Sequence, residues 1–157
     1  MSNTFQLTED QKKLIERIGV QMEKMGNPPA PSRIQALLLV SPVTELSFDE
    51  IRESLNLSKS ATSNAINLLM NNKQIDYITR PGERKRYFKN TIASWRTSME
   101  DAFEKLTVGA DIFEEVLEQR PTDTPEFNHS LREVIDFMRY VNEEMPKLYQ
   151  KWQEERK

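Results

Sequence analysis

The sequence predicts a mainly α-helical protein with one small β-hairpin and long helices toward its C-terminal end. Three observations predict this. Two short helical signatures joined by a tight turn occupy Ser47 to about Asn72. Alternating residues on both sides of Arg80-Pro81-Gly82-Glu83 follow directly and read as a hairpin. Finally, Phe127, Leu131, Val134, Met138, Val141, Met145, Leu148 and Trp152 are spaced 4, 3, 4, 3, 4, 3, 4, a heptad seam that packs along the length of a helix.

Met1 to Gln6 read as a loose lead. A helix starts after Thr8, with Gln11 as capping-box partner, and runs to about Met25. It turns Leu14 or Ile15, Ile18, Met22 and Met25 inward, and Gly26 ends it. Asn27 to Pro31 holds three prolines in five residues and is expected to be a rigid, non-helical connector. Ser32 to Val40 is a short, almost wholly apolar helix, the expected buried strut, closed by Pro42. Arg33 at its start is expected to meet an acid on another helix rather than a phosphate.

Ser47 and Glu50 form a second capping box, after which Phe48, Ile51 and Leu55 share a face. Asn56-Leu57 supplies the turn, and Ser58 caps the next helix. On that helix Thr62, Ile66, Leu69 and Lys73 recur at 4, 3 and 4 residues and face inward beside Ala65, with Lys73 at the exposed end. The opposite face carries Ser60, Asn64 and Asn67, flanked by Lys59, Ala61 and Ser63. Asn pairs bidentately with adenine, Ser bonds bases or phosphates, and Ala meets a thymine methyl, so these groups suit a major groove. A solvated polar face would look the same in isolation. Leu68 fits neither face and is expected to meet the hairpin or a neighbouring subunit.

Ile75, Tyr77 and Thr79 alternate with Asp76, Ile78 and Arg80, the Pro81-Gly82 order favours a type II turn, and Lys85 to Lys89 returns as a strand. The tip displays Arg80, Arg84, Lys85 and Arg86, a basic loop able to grip phosphates or enter a minor groove. A helix-turn-helix followed directly by a basic hairpin is the winged-helix arrangement.

Charge distribution agrees. The 157 residues carry a net charge of −3, but Ser47 to Lys89 holds eight Lys or Arg against five acids, whereas residues 90 to 157 hold nine against fifteen. A basic surface set apart from an acidic body would favour docking to phosphates at one end only.

Ser58-Lys59-Ser60, the spacing to Ile66 and Leu69, Ile75-Asp76-Tyr77-Ile78 and the run from Arg80 to Phe88 resemble GbsR-type regulators of the MarR superfamily. Gly26-Asn27-Pro28, Ser32-Arg33-Ile34 and Leu37-Leu38-Leu39 fit the same pattern, so the resemblance covers about residues 20 to 90. It implies a dimeric winged-helix transcriptional regulator, some relatives responding to small osmoprotectant-related molecules. One departure is Ala61, where the resemblance would place a polar residue, often Asn; this bears on base readout there.

Downstream, Ile92 begins a long helix that turns Trp95, Met99, Phe103 or Ala102, Leu106, Ile112 or Phe113, and Val116 or Leu117 inward and ends near Arg120-Pro121. Gly109 is expected to soften or bend it. Thr124-Pro125 restarts the chain as the heptad helix, which Pro146 should kink. Ile135 and Phe137 widen its stripe, so one line can serve the preceding helix and another a second subunit. Leu131, Val134, Met138, Val141, Met145, Leu148 and Trp152 are therefore the candidate dimerisation residues. A twofold dimer would place two heads on half-sites about one DNA turn apart.

Other chemistry is thinly represented. There is no cysteine, which excludes disulfides and thiolate zinc sites and agrees with a cytoplasmic setting. No glycine-rich phosphate loop or metal-binding helix is present, the adjacent Glu pairs diverge on their helices, and the single His129 reads as an exposed residue at a helix start. No catalytic residue, metal or cofactor is expected, and no apolar run approaches a membrane span. Trp95, Phe103 and Tyr149, with Trp152, could line an effector pocket suited to a quaternary ammonium group, although aromatics at helical spacing are more often core.

The expectation is a mainly α, winged helix-turn-helix protein with long dimerisation helices. Residues 1–26 would form a helix joining the dimerisation region, 27–91 the DNA-binding domain and 92–157 the helical dimerisation region. It would act as a homodimeric, sequence-specific DNA-binding transcriptional regulator, a repressor, with response to a small-molecule effector as a further expectation. Ser58, Lys59, Ser60, Ala61, Ser63, Asn64 and Asn67 on the helix and Arg80, Arg84, Lys85 and Arg86 on the wing would meet double-stranded DNA. The alternative is a winged helix that docks a protein partner without binding DNA.

Overall fold

The structure, a computed structural model, describes residues 5–156, so the first four residues of the expected lead lie outside it. Contacts divide the chain into two compact units, Met1–Ala93 and Ser94–Lys157.

The first unit contains α1 (Glu9–Lys24), α2 (Pro29–Val40), β1 (Leu46–Ser47), α3 (Phe48–Ser54), α4 (Lys59–Asn71), β2 (Ile75–Thr79) and β3 (Arg86–Asn90). Its helices begin and end where local chemistry satisfies their free backbone groups. Both capping boxes form: Thr8 Oγ1 accepts from Gln11 N while Gln11 Oε1 accepts from Thr8 N at 2.9 Å, and Ser47 pairs reciprocally with Glu50. Ser58 caps α4 by accepting from Ala61 N at 3.1 Å. At the C-terminal ends, Gly26, Asn56 and Lys73 each adopt a left-handed conformation. In each case the next residue's N–H reaches back to the third-last helical carbonyl: Asn27 to Met22, Leu57 to Arg52 and Gln74 to Leu69. These are Schellman caps, and the one at Asn56 makes the turn of the helix-turn-helix.

The proline block departs from expectation. It is helical from Pro29, because Pro29 and Pro31 lie in the first turn, where a missing N–H leaves no hydrogen bond unmade. Ser32 N then donates to Pro28 O at 3.1 Å. The strut α2 is buried as expected, with Ile34, Ala36, Leu37 and Leu38 in a core that also holds Ile15, Leu46, Ile51, Ile66, Leu69 and Phe88. Met25, expected inward, is exposed, because α1 has already reached its cap. Leu68 is 39 % exposed.

Arg33 clamps α1 to α2. Its guanidinium lies 3.0 Å from Glu16 and also bonds Glu23, and Gly19 lies between those acids on α1. A Cβ at Gly19 would fall 2.3 Å from Arg33 Nη1, so the clamp closes only over a residue without a side chain.

The sheet has three antiparallel strands in the order β1-β3-β2. Leu46 pairs with Phe88 and Ser47 with Tyr87; on the other side Tyr77 pairs with Phe88, Ile78 with Tyr87 and Thr79 with Arg86. β1 is not legible in the sequence, since two residues show no alternation. At the hairpin's foot, the single Thr91 hydroxyl hydrogen is shared between Lys73 O and Gln74 O, 3.0 and 2.9 Å from Oγ1, tying the end of β3 to the cap of α4.

The second unit follows a short 3-10 turn, Ile92–Ser94, and consists of α5 (Trp95–Gln119) and α6 (Pro125–Glu154). The long helix therefore begins three residues later than Ile92. Of its expected inward residues, Phe103, Leu106 and Leu117 are partly buried, while Trp95, Ile112, Phe113 and Val116 are exposed. The fully buried position is Ala110. Gly109 is a packing site within an unbroken α5: a Cβ there would lie 2.7 Å from the Met138 methyl on α6.

The heptad seam divides into two lines. Leu131, Met138, Met145 and Trp152 are half-buried, together with Ile135, which is 4 % exposed, and Asn142, whose amide donates to Thr107 of α5. Of the alternate members, Val134 and Leu148 are 44 % and 59 % exposed while Val141 is half-buried, and Phe127 and Phe137 are more than half exposed. The α5–α6 connection is a polar knot: Arg120 Nε donates to Asn128 Oδ1 at 2.8 Å, Asn128 Nδ2 donates to Pro121 O at 2.9 Å, and the Arg120 guanidinium stacks 4.0 Å from the Phe127 ring. α6 continues through Pro146.

Candidate nucleic-acid interface

Caps and periodicity orient the helix face. Thr62, Ala65, Ile66 and Leu69 are buried, and Thr62 Oγ1 donates to Ser58 O at 2.9 Å, which satisfies its hydroxyl in the core. With that face fixed, Lys59, Ser60, Ser63, Asn64 and Asn67 project to solvent and Ala61 is half-buried. The Ser58 hydroxyl is occupied by the cap and lies 3.2 Å from that of Ser60.

The wing faces this surface. Glu83 N donates to Arg80 O at 3.0 Å and Gly82 has a φ of +82°, the conformation a type II turn requires at its third residue. Between α4 and the wing lies a cavity of about 290 Å³ lined by Ser47, Phe48, Asp49, Ser63, Ile66, Asn67, Arg84, Lys85, Arg86 and Phe88. Beside it, a second concavity is bordered by Phe48, Lys59, Ser60, Ser63 and Arg86. The fold thus brings Lys59, Ser60, Ser63, Asn67, Arg84, Lys85 and Arg86 around one concave, cationic surface. Phe48 and Asp49 also reach it from the start of α3, a position that the sequence pattern assigned only to packing and capping.

The wing cations differ in their engagements. Arg86 stacks over Tyr77, 5.1 Å from the ring centroid. Arg80 lies 3.9 Å above the Tyr87 ring, and its Nη2 meets Glu45 at 3.1 Å. The hydrogen bond to Glu45 pushes the Arg80 guanidinium above its ordinary value, so it is charged at every accessible pH. Tyr87 donates its hydroxyl to Glu83, which, with partial desolvation, pushes the phenol above 10.0. Among the described residues Arg84 and Lys85 join no acid. An interface of short polar groups on a helix flanked by unpaired cations on a hairpin can bond base edges and neutralise phosphates together.

Residues 93–155 match the model of the MmpR5-like MarR family transcriptional regulator. A solved transcriptional regulator superposes with a TM-score of 0.76 over 92 % of this chain and 99 % of its own, at 19 % identity. The chain has the fold of that transcriptional regulator. Two more distant structures are a variant of MepR from S. aureus bound to an oligodeoxyribonucleotide (14 % identity, 87 % of this chain and 99 % of that one, TM-score 0.43) and the adhesin competence repressor AdcR from Streptococcus pyogenes (18 %, 85 % and 95 %, TM-score 0.39). A search of curated proteins returned no match. Within this fold the family model falls on the helical unit, whereas the helix-turn-helix and wing lie upstream of it.

The remaining expected sites lie in that helical unit. Trp95, Tyr149 and Trp152 form a cluster with ring centroids 5.7–5.9 Å apart, Tyr149 stacked on Trp152 and Trp95 edge-on to both. Phe103, two turns further along α5, belongs to no such ring pair among the described residues. His129 is exposed and its Nε2 lies 3.7 Å from Glu133. Among the described residues no group of acids and histidines could hold a metal ion, and no helix is long and apolar enough to cross a membrane.

Proposed function

We propose that the chain is a sequence-specific, DNA-binding transcriptional regulator that acts as a homodimeric repressor in the cytoplasm and has no catalytic activity. The observation that carries this reading is the cationic concavity between α4 and the wing. α4 would lie in the major groove with Ser60, Ser63, Asn64 and Asn67 toward bases or backbone, and Lys59, Arg84, Lys85 and Arg86 would meet phosphates or the adjoining minor groove. Residues 27–91 would read the operator, and residues 92–157, with help from α1, would pair with a second copy.

The exposed half of the heptad line supports that pairing. Val134, Phe137 and Leu148 leave a face of α6 that its own α5 does not cover, and a twofold axis beside it would bury the same residues from both copies. The Ser58-Lys59-Ser60 start and the Pro81-Gly82-Glu83-Arg84-Lys85 wing support a GbsR-type member of the superfamily. Effector response belongs to the same reading, with the aromatic cluster of Trp95, Tyr149 and Trp152 as the place where a quaternary ammonium group would bind if the rings part to admit it.

The test is fluorescence anisotropy of the purified protein against its own upstream region and a scrambled duplex at several salt concentrations. Selective binding with a steep salt slope is expected. Arg84→Ala with Arg86→Ala should weaken binding to every sequence and flatten the logarithmic salt slope by about two. A folded protein that binds neither duplex would overturn the reading in favour of a winged helix that docks an acidic protein.

A further inference from the structure

Arg80 is distinguished from the other wing cations by what it touches. It is held on one side by Glu45, in the segment before β1, and on the other by the face of Tyr87 in β3. Tyr87 in turn donates to Glu83 within the wing turn. Glu45, Arg80, Tyr87 and Glu83 thus connect all three strands of the sheet to the turn at its tip.

The register separates Arg80 from its neighbours as well. Thr79 pairs with Arg86 and Tyr77 with Phe88, so these four share the sheet face that carries the core residue Phe88; Ile78 and Tyr87 share the opposite face. Arg80, two residues beyond Ile78, continues that opposite face, and its stacking on Tyr87 agrees. Arg84, Lys85 and Arg86 line the cavity beside α4, and Arg80 does not.

We propose that Arg80 is a positioning residue rather than a phosphate ligand: through Glu45, Tyr87 and Glu83 it holds the wing turn in the conformation from which Arg84 and Lys85 meet DNA. The inference rests on the DNA-binding reading above. Its physical basis is preorganisation. The turn's single backbone hydrogen bond, from Glu83 to Arg80, leaves Arg84 and Lys85 on a segment that would otherwise lose conformational freedom on binding. A phosphate recruiting Arg80 would have to compete with the Glu45 ion pair and the Tyr87 stack for its guanidinium.

The experiment measures promoter affinity against salt for the full chain and for Arg84→Ala, Arg80→Ala, Arg80→Lys and Glu45→Ala, with hydrogen exchange across residues 82–86 in the absence of DNA. Arg84→Ala should flatten the slope by about 0.9. The two Arg80 variants and Glu45→Ala should each weaken binding about 3- to 10-fold at unchanged slope and speed exchange of the turn. Arg80→Lys keeps the charge but loses the planar fork and stack, so it should not rescue. Glu45→Ala is the sharpest arm: removing an acid near DNA strengthens binding if only charge matters, and weakens it if the acid holds Arg80. A slope for Arg80→Ala flattened like that of Arg84→Ala, or tighter binding by Glu45→Ala, would overturn the proposal. If the unaltered protein binds no duplex, the DNA reading falls, and exchange alone decides: faster exchange in Arg80→Ala upholds the clamp, and unchanged protection overturns it.

Discussion

Asn64 is exposed on the polar face of α4, with a donor and an acceptor on one short side chain. A bidentate amide contact discriminates by about 1–3 kcal/mol against the wrong base, so Asn64→Ala should relax preference at one base-pair position while leaving affinity for unrelated duplexes nearly unchanged. Binding a panel of single-position operator variants checks this; a uniform loss across the panel would assign Asn64 to the backbone instead. At this scale the sequence was most informative where partners lie close along the chain. Ser47 with Glu50 and Ser58 with Ala61 are three residues apart, and helical geometry alone brings them together. Glu45 and Arg80 are 35 residues apart, and only the pairing of β1 with β3 makes them neighbours.

Among the elements, α1 and α2 carry a packing constraint that composition hides. An alanine in place of an interior helical glycine ordinarily stabilises by about 1 kcal/mol. Gly19→Ala should reverse the sign, because the new methyl would displace Arg33 from Glu16 and Glu23; a net loss of about 1–2 kcal/mol is expected in urea unfolding, with an unchanged m-value. A stabilised variant would mean that Arg33 repacks freely. The prolines before Ser32 illustrate why element boundaries were less legible than element types. Proline is incompatible with a helix interior but well suited to its first turn, and the sequence does not announce which applies. The two-residue β1 escaped for the opposite reason, since its identity lies in its partners Phe88 and Tyr87.

For the whole molecule, the C-terminal helix shows how one periodic pattern can hold two surfaces. A seven-residue repeat marks a stripe without saying which edge of it faces which neighbour. Here Leu131, Met138 and Met145 turn toward α5, while Val134 and Leu148 remain at the surface and Val141 between them is half-buried, so the repeat was legible and its division was not. Phe137, 67 % exposed beside that outer line, is the residue to change. Phe137→Glu should convert a dimer to a monomer in sedimentation while preserving helical content, and should cost operator affinity more than affinity for a single half-site. A variant that remains dimeric would place the twofold axis elsewhere. The latch at Thr91 bears on how the reading head could be controlled. Its hydroxyl ties the residue that follows the hairpin to the cap of α4, shortly before the chain leaves for the second unit. The end of α4 and the foot of the hairpin therefore converge on one side chain, so that loss of a single hydroxyl, as in Thr91→Val, would loosen both at once.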